Sequence, residues 1–248
     1  LKKAGYTRRV SCCETVTLTY ICRMEGPTTV GIYAKVKNLL FGAFPAQNSE
    51  DLFATIKSLY SEILPASNVL ETALSNMNAV FHPPGMLMNT GWVESTGGDF
   101  LFYRQGMSPA VGRVTAVVDK ERMAVAKALG VKTRSFLDNF FEAGLTTKEA
   151  RDSNDISRAC YESMPNRTIK SPSSLDDRYI HEDVGYGLVP MSELGRMVQV
   201  STPTIDAIIR LVSDATDIPY FRDGLTLEKM GINNLDKDSL QRYITQGS

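Results

Sequence analysis

The sequence predicts an α/β fold in which the last part of a mixed sheet is followed by an all-α domain. Two observations lead to this prediction. Residues 14–44 are rich in β-branched and aromatic side chains, whereas from residue 69 onwards apolar residues recur at helical spacing. A chain of 248 residues is long enough for two domains. We place the boundary near Asn68, so that residues 1–68 form the α/β part and residues 69–248 form the helical domain.

A hairpin and one helix are predicted before that boundary. The segments ETVTLTYICRM (14–24) and TTVGIYAKV (28–36) flank the turn residues EGP, which predicts two paired strands. A helix is predicted over residues 48–64, because its apolar residues recur at helical spacing and acidic residues occupy its first turn. Pro65 is expected to end this helix.

Helices are predicted for most of the remaining chain. The main helical segments are 108–130, 133–144, 147–164 and 201–217. Gly130 and Gly144 are placed to end the first two, and Thr202 followed by Pro203 is placed to begin the last. A loop rich in proline and serine, PNRTIKSPSSLDDR, lies between the third and fourth segments.

The composition argues against several classes of partner. The chain has 27 Lys and Arg against 28 Asp and Glu, with no basic run of five residues, so a nucleic-acid surface is not expected. No apolar stretch reaches the length of about 18 residues that a membrane span needs, and the first ten residues lack the apolar core of a signal peptide. We therefore expect a cytoplasmic protein that does not contact membranes.

The cysteines and histidines do not form a metal-binding pattern. The four cysteines, Cys12, Cys13, Cys22 and Cys160, have no CxxC spacing, and free thiols are the favoured interpretation. The two histidines are far apart, without an HxxxH motif, so no metal site is predicted.

The first candidate functional segment is NMNAVFHPPGMLMNTG, residues 76–91. Asn78 and His82 are four residues apart and share a helix face. Pro83 and Pro84 are expected to kink or end the helix just beyond His82, which would leave the imidazole facing a gap. The alternative is a structural histidine that bonds a backbone carbonyl, and residue type alone favours that alternative.

The second candidate segment is DDRYIHEDVGYGLVP, residues 176–190, which we expect to form a loop that leads into a helix. An arginine can bind a carboxylate with two hydrogen bonds, and an aspartate can orient an imidazole, so Arg178 and Asp183 are the candidates here. The alternative is a solvated charged loop with surface ion pairs. We interpret His181, which lies between Ile180 and Glu182, as an exposed histidine without a role.

Taken together, these segments resemble the opine dehydrogenase family, the octopine and nopaline dehydrogenases. The resemblance covers nearly the whole chain, and it depends on the order and spacing of motifs that are modest individually. In the helical part these are NVLETALSNMNAVFHPPGMLMNTG, LDDRYIHEDVGYGLVPMSELG, TPTIDAIIRL and LEKMGI; before it, ETVTLTYICR and VGIYAKVKNLL resemble the end of the family's dinucleotide-binding domain.

The resemblance implies a fold, an activity and four site residues. The fold is the C-terminal part of a Rossmann-type domain with a helical domain like the C-terminal domain of 6-phosphogluconate dehydrogenase. The activity is the NAD(P)H-dependent reductive condensation of a 2-oxo acid, such as pyruvate, with an amino acid. By position, His82 matches the family's catalytic histidine and Asp183 the aspartate that pairs with it. Arg178 matches a substrate-contacting arginine and Asn78 an asparagine one turn before the histidine.

The sequence departs from the family in one respect. The GxGxxG turn that binds the pyrophosphate of a dinucleotide is not found in these 248 residues, and the chain begins at Leu1 rather than at methionine. We therefore expect a fragment that does not turn over alone. The cofactor-binding residues are unassigned, and both NAD and NADP stay open. A homodimer is compatible with the apolar faces of the helical domain.

Two other readings remain open at this level. A hydroxyacid or ketopantoate-type reductase also places a helical domain after a Rossmann domain, but such enzymes tend to use lysine as the proton donor, and His82 argues against them. A non-catalytic helical dimerisation domain would leave His82, Arg178 and Asp183 far apart. A separation of about ten ångströms between the imidazole and the carboxylate would exclude the catalytic interpretation for that conformation.

Overall fold

A computed structural model describes residues 10–247, and two separate sheets lie in its first part. In the larger sheet, strand β4 (Leu39–Phe44) lies between β1 (Cys12–Thr15), which is antiparallel to it, and β5 (Ile63–Pro65), which is parallel to it. Strands β2 (Tyr20–Gly26) and β3 (Thr29–Lys35) form the predicted hairpin. The first predicted strand is divided, because the chain leaves β1 after Thr15 and enters the hairpin at Tyr20.

The helix predicted over residues 48–64 is too long. Helix α1 (Ser49–Leu59) ends before the last apolar residues of that segment, which form β5. Ile63 is fully buried and pairs with Leu39 of β4. Parallel pairing to the central strand buries Ile63 and hydrogen-bonds the backbone of this segment. A short apolar run does not distinguish a strand from the end of a helix.

Helices make up most of the chain after β5. They are α2 (Val69–Leu74), α3 (Asn78–Met88), α4 (Thr90–Thr96), α5 (Pro109–Leu129), α6 (Phe136–Glu142), α7 (Lys148–Asp152), α8 (Ile156–Tyr161), α9 (Arg178–Asp183), α10 (Val189–Met197), α11 (Pro203–Thr216), α12 (Tyr220–Asp223), α13 (Leu227–Met230) and α14 (Lys237–Gln246). Gly130 ends α5 in the left-handed conformation, at φ 75°, as predicted. The predicted α/β part followed by a helical part is therefore present. None of the helices within residues 10–247 is long and apolar enough to cross a membrane.

Helix α3 runs through both of its prolines, so of the two predicted alternatives the end of the helix beyond His82 is wrong, and the kink stays a prediction. Each proline removes a backbone donor and disfavours the helix interior. Every residue from Ala79 to Met86 is buried, and the helix packs against α5 and α9. This tertiary packing stabilises the helix despite the prolines, and it places His82 inside the core.

The segment predicted as a loop around Arg178 and Asp183 is helical instead. Helix α9 begins where the side chain of Asp177 accepts a hydrogen bond from the Tyr179 N–H at 2.9 Å. It continues through a π-helical turn (Val184–Leu188) into α10. Gly187 lies in this turn because a Cβ there would be 2.4 Å from the Cβ of Ala79 in α3. Gly187 therefore allows the two helical segments to approach closely.

One hydrophobic core joins the sheet to the helices. Phe41 of β4 and Leu74 of α2 both belong to it, as do many residues of the later helices. Helix α2 lies on the larger sheet, so close that a Cβ at Gly42 would be 3.0 Å from the side chain of Thr72. The division of the chain near Asn68 stays a prediction.

Candidate active site

A buried histidine and a buried aspartate meet between α3 and α9. Nδ1 of His82 lies 2.7 Å from Oδ2 of Asp183, and the two residues are only 4% and 8% exposed. A carboxylate can only accept a hydrogen bond, so Nδ1 carries the donated hydrogen. The imidazole bonds to side chains and not to a backbone carbonyl, in contrast to the structural alternative considered for His82.

Two tyrosines that the sequence did not indicate complete the surroundings of His82. The Tyr103 hydroxyl lies 3.0 Å from Nε2 of His82, and it lies 3.0 Å from the Tyr179 hydroxyl. The Tyr179 ring stacks on the imidazole, with 3.6 Å between ring centroids and 5° between ring planes. Nη2 of Arg23, in the hairpin, donates to the Tyr179 hydroxyl at 3.3 Å. These contacts form a continuous polar chain from Asp183 to Arg23.

Burial controls the ionisation of both tyrosines. It raises the pKa of Tyr103 well above its usual range, and the neighbouring Tyr179 raises that pKa further. Burial also raises the pKa of Tyr179, although the hydrogen bond with Tyr103 opposes the shift. Both hydroxyls therefore stay neutral near pH 7, where each can donate one hydrogen bond and accept others.

Two clefts adjoin the pair of His82 and Asp183. The first, of about 180 Å³, lies between the β2–β3 hairpin and the helices and is lined by His82 and by both tyrosines. The second, of about 380 Å³, is lined by Asp183 and by polar residues that include Glu182. Asn78 and Arg178 line both clefts. All four residues selected from the sequence therefore lie at one place.

Arg178 is held less firmly than the buried pair. Its Nη2 donates to Oε2 of Glu182 at 2.9 Å, and the two side chains are 51% and 59% exposed. This surface ion pair agrees with the solvated alternative for these two residues. Asp183, in contrast, faces inward to His82, so the alternative does not describe the whole segment.

His181 is not the freely solvated histidine that the sequence suggested. Its Nδ1 lies 2.7 Å from the Tyr220 hydroxyl, and its Nε2 lies 2.8 Å from Oδ1 of Asp176. It links α9 to α12 and lines neither cleft. Its role in the described structure is therefore a packing contact outside the site.

The cysteines of the described residues are all free thiols, and Cys160 is buried. Burial raises the pKa of the Cys160 thiol, which makes it a poor nucleophile. Within residues 10–247, no three His, Cys, Asp or Glu side chains are grouped so that they could hold a metal ion.

Comparison with known proteins connects this site to a family. The model of the α-helical domain of NAD/NADP octopine/nopaline dehydrogenases matches residues 65–216, which is more than half of the chain. The chain belongs to the octopine/nopaline dehydrogenase family. The opine dehydrogenase of Arthrobacter sp. (strain 1C) is 37% identical to this chain over 226 residues, and the alignment covers 90% of the chain. Protein ocs of Agrobacterium tumefaciens (strain Ach5) is 24% identical over 234 residues and 93% of the chain.

The chain spans 60% of the length of the Arthrobacter relative and 63% of that of the Agrobacterium relative. Among solved structures, octopine dehydrogenase with NADH and L-arginine has a TM-score of 0.69 and 17% identity, over 96% of this chain and 65% of that one. Apo yersinopine dehydrogenase has a TM-score of 0.70 and 15% identity, over 99% of this chain and 66% of that one. These similarities confirm the fold class predicted from the sequence.

Proposed function

We propose that the gene product that carries this chain is an opine-type dehydrogenase. It would use NAD(P)H to join a 2-oxo acid, such as pyruvate, to the amino group of an amino acid. The observation that carries this proposal is the buried pair of His82, which lines the first cleft, and Asp183, which lines the second. Family membership supports it, as do the relatives, which include an opine dehydrogenase and octopine dehydrogenases solved with L-arginine or pyruvate.

His82 is assigned as the acid and base of the reaction. Hydride addition to an imine or carbonyl carbon leaves a nitrogen or oxygen that takes up a proton, and imidazole is the side chain that exchanges protons most readily near neutral pH. Asp183 would hold the tautomer with hydrogen on Nδ1 and stabilise the imidazolium, which leaves Nε2 for proton transfer.

Arg178 and Asn78 are assigned to substrate binding. An exposed ion pair such as that of Arg178 with Glu182 is worth at most about 1 kcal/mol, so a substrate carboxylate can replace Glu182. The guanidinium would then bind the carboxylate with two hydrogen bonds and align the reacting carbon. Asn78 lies one helical turn before His82 and offers both a donor and an acceptor to either cleft. Two adjoining clefts suit a reaction that joins two molecules.

A nicotinamide cofactor, when bound, supplies the hydride. The 248 residues contain no GxGxxG turn between a strand and a helix, and none of them is assigned to the pyrophosphate. The related structures were solved with NADH in octopine dehydrogenase and with NADP⁺ in yersinopine dehydrogenase, and both cofactors stay in the proposal. We predict that the 248 residues alone do not oxidise NADH or NADPH, which a turnover assay on the isolated chain tests.

An assay of the gene product with NADH or NADPH, pyruvate and a panel of amino acids tests the proposed function. We expect cofactor oxidation that requires both the 2-oxo acid and an amino acid. Oxidation that needs only the 2-oxo acid would indicate the hydroxyacid or ketopantoate-type alternative. Replacing His82 with Ala or Lys should abolish the activity, and an unchanged rate in His82→Lys would favour that alternative as well. Absence of turnover with every pair would contradict the proposal.

We also propose that the protein is a cytoplasmic homodimer. The β2–β3 hairpin exposes Met24, Val30 and Ile32, at 69%, 52% and 65%, and these side chains form a candidate surface for a second copy. Light scattering of the purified protein tests the dimer, and cell fractionation tests the location. Monomers at micromolar concentration would contradict the dimer, and recovery in a membrane or extracellular fraction would contradict the location.

A further inference from the structure

Both ring nitrogens of His82 are already engaged in the absence of any substrate. Nδ1 bonds to Asp183 at 2.7 Å, and Nε2 bonds to the Tyr103 hydroxyl at 3.0 Å. The residue is only 4% exposed, and Tyr179 covers one face of the ring. A substrate atom therefore cannot bond to Nε2 while Tyr103 is in place.

The polar chain continues from Tyr103 to the surface of the first cleft. The Tyr103 and Tyr179 hydroxyls are 3.0 Å apart, and Arg23 donates to Tyr179 at 3.3 Å. Tyr103, Tyr179 and Arg23 all line that cleft. The hydroxyl of Tyr179 is thus linked to His82 through a single intervening group.

The two ends of this chain and the protonation state of His82 together determine the direction of each hydrogen bond within it. The Asp183 carboxylate can only accept, and the Arg23 guanidinium can only donate. When His82 is neutral, Nε2 accepts from Tyr103, the Tyr103 oxygen accepts from Tyr179, and the Tyr179 oxygen accepts from Arg23. In this state neither Tyr103 nor Tyr179 directs its hydroxyl hydrogen toward the cleft.

Protonation of His82 reverses the inner bonds. Nε2–H now donates to the Tyr103 oxygen, and the Tyr103 hydrogen turns to the Tyr179 oxygen. That oxygen then accepts from both Tyr103 and Arg23, so its own hydrogen has to point elsewhere. Since Tyr179 lines the cleft, a substrate nitrogen or oxygen there can accept this hydrogen.

We propose that Tyr103 and Tyr179 relay the proton between His82 and the substrate, with the Tyr179 hydroxyl as the group that donates it. The Tyr179 O–H bond breaks as a bond from that hydrogen to the substrate nitrogen or oxygen forms. The Tyr103 proton passes to the Tyr179 oxygen and the Nε2 proton passes to Tyr103, which leaves both tyrosines and His82 neutral. The relay rests on the proposed function, whose reduced nicotinamide provides the hydride and so balances the electrons.

The environment suits a relay through neutral hydroxyls. Burial opposes ionisation of either tyrosine, so a tyrosinate does not accumulate and the three proton shifts occur together. The stacked Tyr179 ring also holds its hydroxyl in a fixed relation to the imidazole. Arg23 has a positioning role. Its N–H donates to the Tyr179 oxygen, so the Tyr179 hydrogen has to point away from the guanidinium.

Removing single hydroxyl groups from the gene product tests the relay. Tyr179→Phe keeps the ring that stacks on His82, and we expect it to lower kcat by about 100-fold or more, with KM for both substrates changed by less than about threefold. Tyr103→Phe should have a similar effect. Tyr220→Phe is the matched control, because this buried tyrosine bonds to His181 and lines neither cleft. It should retain wild-type kcat.

A solvent isotope measurement separates a relay from a structural role. In wild type, several protons move in one step, so the rate should depend on the fraction of D₂O along a curve. In Tyr179→Phe the residual rate should lose this curvature. Nitrogen NMR of His82 should show hydrogen on Nδ1 in both proteins, which establishes that the bond to Asp183 is retained.

Two results would overturn the relay. Wild-type or higher activity in Tyr103→Phe would mean that Nε2 transfers the proton directly once the hydroxyl is gone. A kcat in Tyr179→Phe within about threefold of wild type, with an unchanged isotope curve, would remove Tyr179 from the proton route. A failure of the proposed function is distinct, because it would be seen as lack of turnover in the wild-type protein.

Discussion

His82 and His181 each pair with an aspartate in very different surroundings. The pair of His82 and Asp183 is buried, whereas the Asp176 side chain that bonds His181 is 93% exposed. Hydrogen bonds between charged groups strengthen where water is excluded, so the buried pair has the larger effect on tautomer and charge. The exposed pair of His181 and Asp176 can therefore serve as the control when the pair of His82 and Asp183 is mutated.

We predict that Asp183→Asn lowers kcat by about 100- to 10,000-fold. The amide can donate to Nδ1, which would place the hydrogen of neutral His82 on Nε2 and disrupt proton transfer. Asp176→Asn makes the same change beside His181 and should leave kcat close to wild type. Steady-state kinetics on both variants, with circular dichroism to verify folding, provides the measurement. Similar losses in the two variants would contradict the assignment of Asp183.

Tyr103 should make stability sensitive to alkaline pH. Because burial raises its folded-state pKa above the value near 10 of the unfolded chain, its contribution is fully present below pH 10 and is lost as pH rises through the folded-state pKa. Removing the hydroxyl in Tyr103→Phe also breaks two hydrogen bonds, so this variant should be less stable at pH 8. The difference in the free energy of unfolding between wild type and Tyr103→Phe should narrow by up to about 1.4 kcal/mol for each pH unit above 10.

Urea unfolding at several pH values between about 8 and 11 measures this difference in the free energy of unfolding. Tyr161→Phe is the control, because Tyr161 is 55% exposed and its replacement should shift stability equally at every pH. A constant difference between wild type and Tyr103→Phe across this range would show that Tyr103 does not titrate as burial requires.

The sequence indicated His82 and Asp183 but not the other three residues of the polar chain. His82 and Asp183 lie in motifs whose order along the chain resembles a known family, and they do meet. Tyr103, in contrast, lies in a segment in which no functional motif was found, and Arg23 lies in a hairpin remote from α9 in sequence. Their relation to His82 depends on how β2 and the helices pack, which residue spacing does not encode.

At the scale of single elements, local sequence rules gave wrong predictions where tertiary packing decides the structure. Local rules assign a kink or an end of the helix to Pro83 and Pro84 and a loop to the segment around Arg178 and Asp183, yet both segments are helical. Burial stabilises helix α3 despite its prolines, and Gly187 lets the π-helical turn approach Ala79 of α3. Long helices with clear caps, such as α5, were predicted well because their signals are local.

Gly187→Ala should destabilise the protein by about 1 to 3 kcal/mol, because its Cβ would overlap that of Ala79 and separate the helices that carry His82 and Asp183. Gly91→Ala in α4 is the matched control. A Cβ at Gly91 meets no atom within 4 Å, so alanine there should stabilise the helix by about 0.5 to 1 kcal/mol. Thermal unfolding of both variants gives the comparison. Equal stability in the two variants would contradict a close approach at Gly187.

For the whole molecule, the residue pattern predicts two parts, whereas the packing shows one continuous core. The change from β-branched residues to helical spacing predicts a boundary near Asn68, since secondary-structure preference is local. The buried core, however, continues from β4 into the helices, and α14 returns to pack Tyr243 against Phe44 with 5.2 Å between ring centroids. Contacts between distant parts of a chain are not visible in a residue pattern, so only the structure shows that the two parts share a core.

This shared core predicts coupled unfolding. Phe41 of β4 is 2% exposed, and Phe41→Ala should cost about 3 to 5 kcal/mol. Trp92, the single tryptophan of the sequence, lies in α4 and stacks on Phe100, so its fluorescence reports on the helical part. We expect the fluorescence midpoint in urea to fall in Phe41→Ala by as much as the midpoint from circular dichroism, because one transition involves both parts.

Leu59→Ala is the control. Its side chain is 70% exposed, so this variant should shift neither midpoint appreciably. If the fluorescence midpoint stayed at its wild-type value while the circular dichroism signal changed earlier, the helical part would unfold independently, and the boundary near Asn68 would separate two autonomous domains.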